Sequence, residues 1–253
     1  MRLGILIIGS LFWDPSCPRC RWRQARFGCG EARPVRVPIR YGKKSKKRND
    51  TYTMVFASSC SVPERLGTGL VVPARAECCA PEHLLEEAEH LWAAERDVET
   101  VGGICADWGK VMVKANPALN PGNETLQGWR DHVESCGASY TALPTASNEP
   151  AILDHTTGMA LFDWPMDVET ETALVGFDLL LMPATKPTLN QGQYPTPEEV
   201  AGAWRADVKG NIVYFHNNRQ YGITTFEDAQ IQALLAGGPP NKPVAATGAP
   251  RRR

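Results

Sequence analysis

The sequence predicts an α+β protein in which β-strands come first and the strongest helix follows them. Three observations carry this expectation. Residues 3–8, Leu-Gly-Ile-Leu-Ile-Ile, are apolar on both faces, as a strand buried in the middle of a sheet requires. Residues 51–56 and 67–73 are rich in β-branched and aromatic side chains and precede any helical period. Residues 81–95 then open with Pro81, suited to a first helical turn, and repeat apolar residues at helical spacing.

Taken in order, the first strand ends at Gly9-Ser10, where the chain enters a loop. Residues 11–34 hold Phe12, Trp13, Trp22, three cysteines and many arginines without a periodic stripe, and are expected to be irregular. Residues 35–39 alternate but contain Pro38, which suits an edge strand. After the 81–95 helix and Gly102-Gly103, a strand is expected through 108–113. The Asn, Pro and Gly cluster at 116–122 is the best domain boundary. Beyond it the pattern predicts a helix at 124–135, strands at 158–164 and 173–182, and a helix at 197–204 capped by Thr196. Residues 211–215 and 221–225 read as a hairpin, and 226–235 as a short helix. From Gly237 the chain is rich in Pro, Gly and Ala and is expected to be disordered. The division is therefore 1–118, an α/β extension over 119–236 that either stands apart or joins the same domain, and a tail over 237–253.

At 253 residues the chain can bury a substantial core. A net charge of −1 argues against a dedicated nucleic-acid binder, whose affinity needs a positive field. The basic run at 43–48 is expected to be a solvated loop, and Arg251-Arg252-Arg253 a frayed end. The apolar run 3–8 is too short to span a membrane and lacks the features of a signal peptide, so a cytoplasmic protein is expected. Its eight cysteines would then stand mostly as thiols.

Glu95 is the anomaly in this pattern. At about 100° per residue, Leu84, Ala88, Leu91 and Glu95 fall on one line, flanked by Leu85, Trp92 and Val98. Glu82, Glu86 and Glu89 fall on the opposite side. A carboxylate on the apolar stripe must be paired, protonated or open to a cleft, because burying it bare is costly. Each is an environment in which a carboxyl group can act as a general acid or base. The plainer alternative is a structural ion pair, for instance with Arg96.

Metal ligation is a second possibility. Cys17-Pro-Arg-Cys20, with Cys29, has half the spacing of a zinc site, but no second Cys-x-x-Cys or His pair lies nearby. No metal site and no cofactor is therefore expected. His83, Glu87 and His90 share a helix side off the apolar stripe and read as a solvated face. No phosphate loop, nucleotide fingerprint or Ser/His/Asp order occurs.

Two short motifs in the right order carry a resemblance. Ile8-Gly9-Ser10-Leu11 follows the first strand, and Leu91-Trp92-Ala93-Ala94-Glu95 lies in the later helix. Together with the Gly69-initiated strand between them, they resemble the γ-glutamylcyclotransferase-like superfamily over residues 5–113. That family has a Tyr-Gly-Ser first-strand motif and a Leu-Asp-x-x-Glu helix whose Glu is the acid/base. Here Ile8, Trp92 and Arg96 replace the family's tyrosine, aspartate and frequent glycine. The resemblance implies a small mixed β-barrel with flanking helices, and Glu95 as the catalytic residue. It also implies that Gly9, Ser10 and Leu11 form a loop whose amides bind the oxyanion.

In such a reaction the substrate's α-amine attacks its own γ-carbonyl, releasing a second amine and 5-oxoproline. Phe12 and Trp13 are candidate pocket walls, and Arg40 or Arg48 candidate ligands for a substrate carboxylate. The expected partner is a small molecule, neither nucleic acid nor membrane. Two other functions fit the sequence: a non-catalytic binding module with an aromatic cleft around Trp13, and a zinc or redox regulator built on Cys17, Cys20 and Cys29.

Overall fold

The computed structural model describes residues 1–120 and 122–237. The first half comprises β1 (Leu3–Ile7), α1 (Cys17–Arg26), β2 (Arg33–Val37), β3 (Ile39–Ser45), β4 (Thr51–Phe56), β5 (Gly67–Pro73) and α2 (Pro81–Arg96). There follow β6 (Cys105–Ala106), β7 (Gly109–Ala115), α3 (Glu124–Cys136), β8 (Leu153–Asp154), β9 (Met159–Ala160) and β10 (Met166–Asp167). The chain closes with β11 (Leu179–Thr185), α4 (Pro197–Ala206), α5 (Val213–Gln220) and α6 (Asp228–Ala236). The fold is thus mixed α+β. Its main sheet runs β10-β2-β5-β1-β11-β7-β9-β8, with β6 paired to β7, and curls into a half-barrel. β3 and β4 form a separate antiparallel ribbon.

The apolar run at the start of the chain occupies the centre of the sheet, antiparallel to β5 and parallel to β11, and every residue of β1 is buried. Gly4 is required by this packing. A Cβ there would lie 2.7 Å from Leu180, 2.8 Å from Val71 and 2.9 Å from Phe177. The 116–122 cluster does not separate two sheets. β11 comes from the second half of the chain and pairs with β1 on one side and β7 on the other. One core cluster accordingly takes residues from both halves, such as Ile5 and Leu91 with Leu180 and Phe215.

Several local expectations are corrected. Residues 17–26 are helical, not irregular: the buried face of α1 is Arg19 with Trp22, a polar anchor that a search for an apolar stripe passes over. The 211–225 region is not a hairpin, because residues 213–220 form α5. Its Phe215 packs with Tyr41 and Trp204, so tertiary contacts override the β-propensity of Val213, Tyr214 and Phe215. The 158–164 segment contributes only the two-residue β9, and the strand expected at 173–182 lies at Leu179–Thr185. The basic run is not a simple loop, since Lys43 and Lys44 lie within β3. Glu87 is buried against Arg26 at 3.0 Å rather than solvated, and Val98 is exposed. The tail expected to be disordered lies, beyond Gly237, outside the described residues. Among the described residues, no helix is long and apolar enough to cross a membrane.

One irregularity positions the site. β1 and β11 pair in parallel as Leu3 with Leu179, Gly4 with Leu180 and Ile5 with Leu181. Continuing that register would bring Pro183 opposite Ile7, and proline has no N–H to give the ladder. The pairing ends at Ile5 and Leu181, two residues short of that position. Because the strands are parallel, the loops that follow both of them leave at the same end, and a cavity opens between them.

Candidate active site

The cavity has a volume of about 870 Å³ and is lined by several elements, Arg19 of α1 among them. Ile8, Gly9, Ser10 and Leu11 arrive from the end of β1, and Glu95 and Arg96 from the last turn of α2. Lys43 to Arg48 come from β3 and the 3₁₀ turn after it, and Thr53 and Met54 from β4. Pro183 to Leu189 come from β11 and its continuation, Tyr214 from α5, and Trp108 from the turn before β7. A second cavity of about 510 Å³, near Leu174 and Phe177, offers no such set. The carboxylate it contains, Asp178, is engaged by the Arg2 amide at 2.7 Å.

The sequence-predicted core of the site comes together: Glu95 shares this cavity with Gly9, Ser10 and Leu11. The 9–14 segment is a tight turn in which Phe12 N–H donates to Gly9 O at 3.2 Å, and Trp13 and Asp14 N–H donate to Ser10 O at 3.2 and 2.8 Å. As in the first turn of a helix, the Ser10 and Leu11 amides take no part in these bonds and remain free to donate elsewhere. Gly9 has no room for a side chain, since a Cβ would lie 2.5 Å from the Tyr214 hydroxyl.

Arg19 is the residue that joins these parts, and sequence reasoning missed it. Its Nε donates to Ala94 O at 3.1 Å and its Nη2 to Glu95 O at 3.3 Å. It thereby supplies the Glu95 carbonyl with a donor at the end of α2 and adds a second donor to Ala94 O, which also accepts from the Asp97 N–H at 3.1 Å. Its Nη1 donates to Ser10 Oγ at 3.0 Å and to Asp14 Oδ2 at 2.8 Å. Arg48 donates to the same two oxygens, at 3.1 and 3.2 Å. Two guanidinium donors thus fill the acceptor capacity of Ser10 Oγ and leave its O–H proton to point elsewhere. Asp14 also accepts from Ser16 N–H at 3.0 Å, fixing the approach to α1. A buried arginine in a short basic helix leaves no local sequence signal of this kind; only the fold reveals its partners.

The electrostatics are one-sided. Lys43 places its ammonium over the Trp108 ring, 4.2 Å from the centroid. Burial pushes its pKa down, the nearby Glu95 charge pushes it up and Arg48 lowers it; the net shift is downward. Burial raises the Tyr214 phenol, although Arg48, 4.9 Å above its ring, favours ionisation.

Three of the expected wall or ligand residues lie elsewhere. Phe12 packs edge-on against Tyr221, and Trp13 donates its indole N–H to Asn218 Oδ1 at 2.7 Å. Both dock α5 onto the turn rather than line the cavity. Arg40 is engaged by Glu227 at 2.7 Å, lies over Tyr194 and is not part of the cavity wall, whereas Arg48, which shares Asp14 with Arg19, is. Cys17 and Cys29 are exposed and Cys20 is partly buried with Arg23 Nη2 3.2 Å from its Sγ. Among the described residues, no group of three His, Cys, Asp or Glu side chains is arranged to hold a metal ion. Comparisons with protein-family models, curated proteins and solved structures found no match.

Proposed function

We propose that the protein is a γ-glutamylcyclotransferase-like enzyme that cleaves a γ-glutamyl amide, with Glu95 as its acid/base and the half-barrel as a cyclotransferase-type scaffold. The observation that carries the reading is that Glu95 and the Gly9-Ser10-Leu11 turn line one cavity. The substrate's γ-carbonyl oxygen sits on the Ser10 and Leu11 N–H groups, which stabilise the negative charge that develops during attack. Glu95 takes a proton from the α-ammonium, freeing the amine to attack. It returns that proton to the departing nitrogen as the amide C–N bond breaks, and it relays there the second proton that the attacking nitrogen sheds in becoming the lactam N–H, giving 5-oxoproline and the leaving amine as its ammonium ion. Arg48 beside Ser10 takes the α-carboxylate. Arg19 touches none of the reacting atoms and acts as a positioning residue, tying the backbone of Glu95 to Ser10. The proposed setting is the cytoplasm, with a small molecule as the partner.

Glu95→Gln keeps the shape of the side chain and removes its basicity. On a panel of γ-glutamyl amines and dipeptides, wild type should release lactam and free amine. The variant should fold normally and lose about 10²–10⁴ in kcat, the usual contribution of a general base. If wild type turns over none of the panel yet binds one member tightly, the site is a binding pocket and the catalytic assignment is wrong.

A further inference from the structure

The cavity carries more positive charge than a γ-glutamyl group can use. Eight lysine and arginine side chains line it against the single carboxylate of Glu95, in a chain whose net charge is −1. Asp14 neutralises part of the Arg19 and Arg48 charge, and Asp97 pairs with Lys47 at 3.3 Å. Lys43, Lys46 and Lys186 have no ion-pair partner among the described residues. A concave wall of one sign focuses its field inward and selects for ligands of the other sign. The γ-glutamyl head is a zwitterion whose single carboxylate Arg48 can satisfy, and its ammonium would be repelled by lysines. The head therefore belongs at the Glu95 end, and the lysine wall faces whatever lies beyond the scissile bond.

We infer that Lys43, Lys46 and Lys186 form a subsite for a multivalent anion, a phosphate or a cluster of carboxylates, carried by the part of the substrate that leaves as the amine. Which fragment carries it rests on the cyclotransferase-like reading; the anion subsite itself does not. Lys43 supports the subsite independently. Its ammonium lies on the cavity wall over Trp108, 4.2 Å from the ring centroid; burial and Arg48 disfavour its charge, Glu95 favours it, and a bound anion offsets the cost of burial.

The test is calorimetric titration with inorganic pyrophosphate, with citrate as the carboxylate counterpart and acetate as a monovalent control. Wild type should bind one multivalent anion per chain, more weakly as salt is raised. Whichever of pyrophosphate and citrate binds more tightly identifies the anion chemistry. The double variant Lys46→Gln/Lys186→Gln alters only exposed side chains and should bind a few-fold more weakly. Adding Lys43→Gln should bring the loss to about tenfold or more, at a few-fold per cation removed. Glu95→Gln should bind undiminished.

Absence of multivalent-anion binding, or equal binding by the double and triple variants and wild type, overturns the inference. The two readings fail separately. Turnover of γ-glutamyl amides that pyrophosphate does not inhibit removes the subsite and leaves the enzyme. Pyrophosphate binding without any turnover keeps the subsite and removes its assignment to a leaving amine.

Discussion

At the residue scale, the chain places charge in its interior only where partners converge. Glu95 stands on an apolar helix line and opens to a cavity, and Glu87, on the same helix, is buried against Arg26. Asp228 is the most sharply tuned carboxyl group. It accepts hydrogen bonds from Thr225 N–H at 2.9 Å and Thr225 Oγ1 at 2.6 Å, while its second oxygen is buried without a partner. Burial outweighs those bonds and the nearby Arg219 charge, and raises its pKa from the ordinary 3.8 to about 6. A carboxyl group whose folded pKa is raised contributes stability that is complete below its unfolded pKa. That stability is lost as pH rises through the folded value. Wild type should therefore lose on the order of 3 kcal/mol of this contribution between about pH 4 and pH 6. Asp228→Asn, which mimics the protonated form, should flatten that part of the profile in urea melts. A variant that keeps the wild-type slope would show that another group is responsible.

At the element scale, helix ends are held by side chains drawn from elsewhere in the chain. α4 starts with a capping box, Thr196 Oγ1 accepting from Glu199 N–H and the Glu199 carboxylate from Thr196 N–H; the sequence pointed to the Thr196 half of it. The end of α2 is different, because its carbonyls are met by Arg19 from α1. Arg19→Ala would leave Asp14 with Arg48 as its ion-pair partner, remove the guanidinium donor from the Glu95 carbonyl and leave Ala94 O to the Asp97 N–H. It should cost about 1–3 kcal/mol in chemical denaturation, the range for leaving a buried hydrogen-bonding group unsatisfied. Arg19→Lys should recover only part of this, since an ammonium cannot span four acceptors. A loss below about 1 kcal/mol for Arg19→Ala would refute its role in joining the turn to α2. The same comparison explains what was legible. Pro81, Thr196 and the apolar spacing of α2 are local signals, and they predicted α2 and α4 correctly. α1 has a first-turn proline, Pro18, but no apolar stripe and is anchored by an arginine, and α5 is built from β-formers held helical by Tyr41 and Trp204.

At the scale of the whole molecule, the two halves of the chain share one sheet, because β11 lies between β1 and β7. A fragment of residues 1–118 would leave β1 and β7 with unpaired edges and an uncovered apolar face. It should fail to fold, giving no cooperative thermal transition by circular dichroism; a cooperative, soluble fragment would refute this. The sequence by itself determined the mixed α+β class, the central first strand and the helix that carries Glu95. It also marked Glu95 as out of pattern. These features follow from local periodicity and turn chemistry, which act over a few residues; that Glu95 and the Gly9-Ser10-Leu11 turn belong together was an expectation from the family resemblance. The tertiary structure alone decided that β11 completes the sheet and that its pairing with β1 ends at Leu181. It decided that Arg19 binds the turn to α2, that Arg40 is engaged by Glu227, and that the basic run lines a cavity. Those outcomes depend on pairings between residues tens to more than a hundred positions apart, whose strength is set by burial and geometry that no local window of the chain contains.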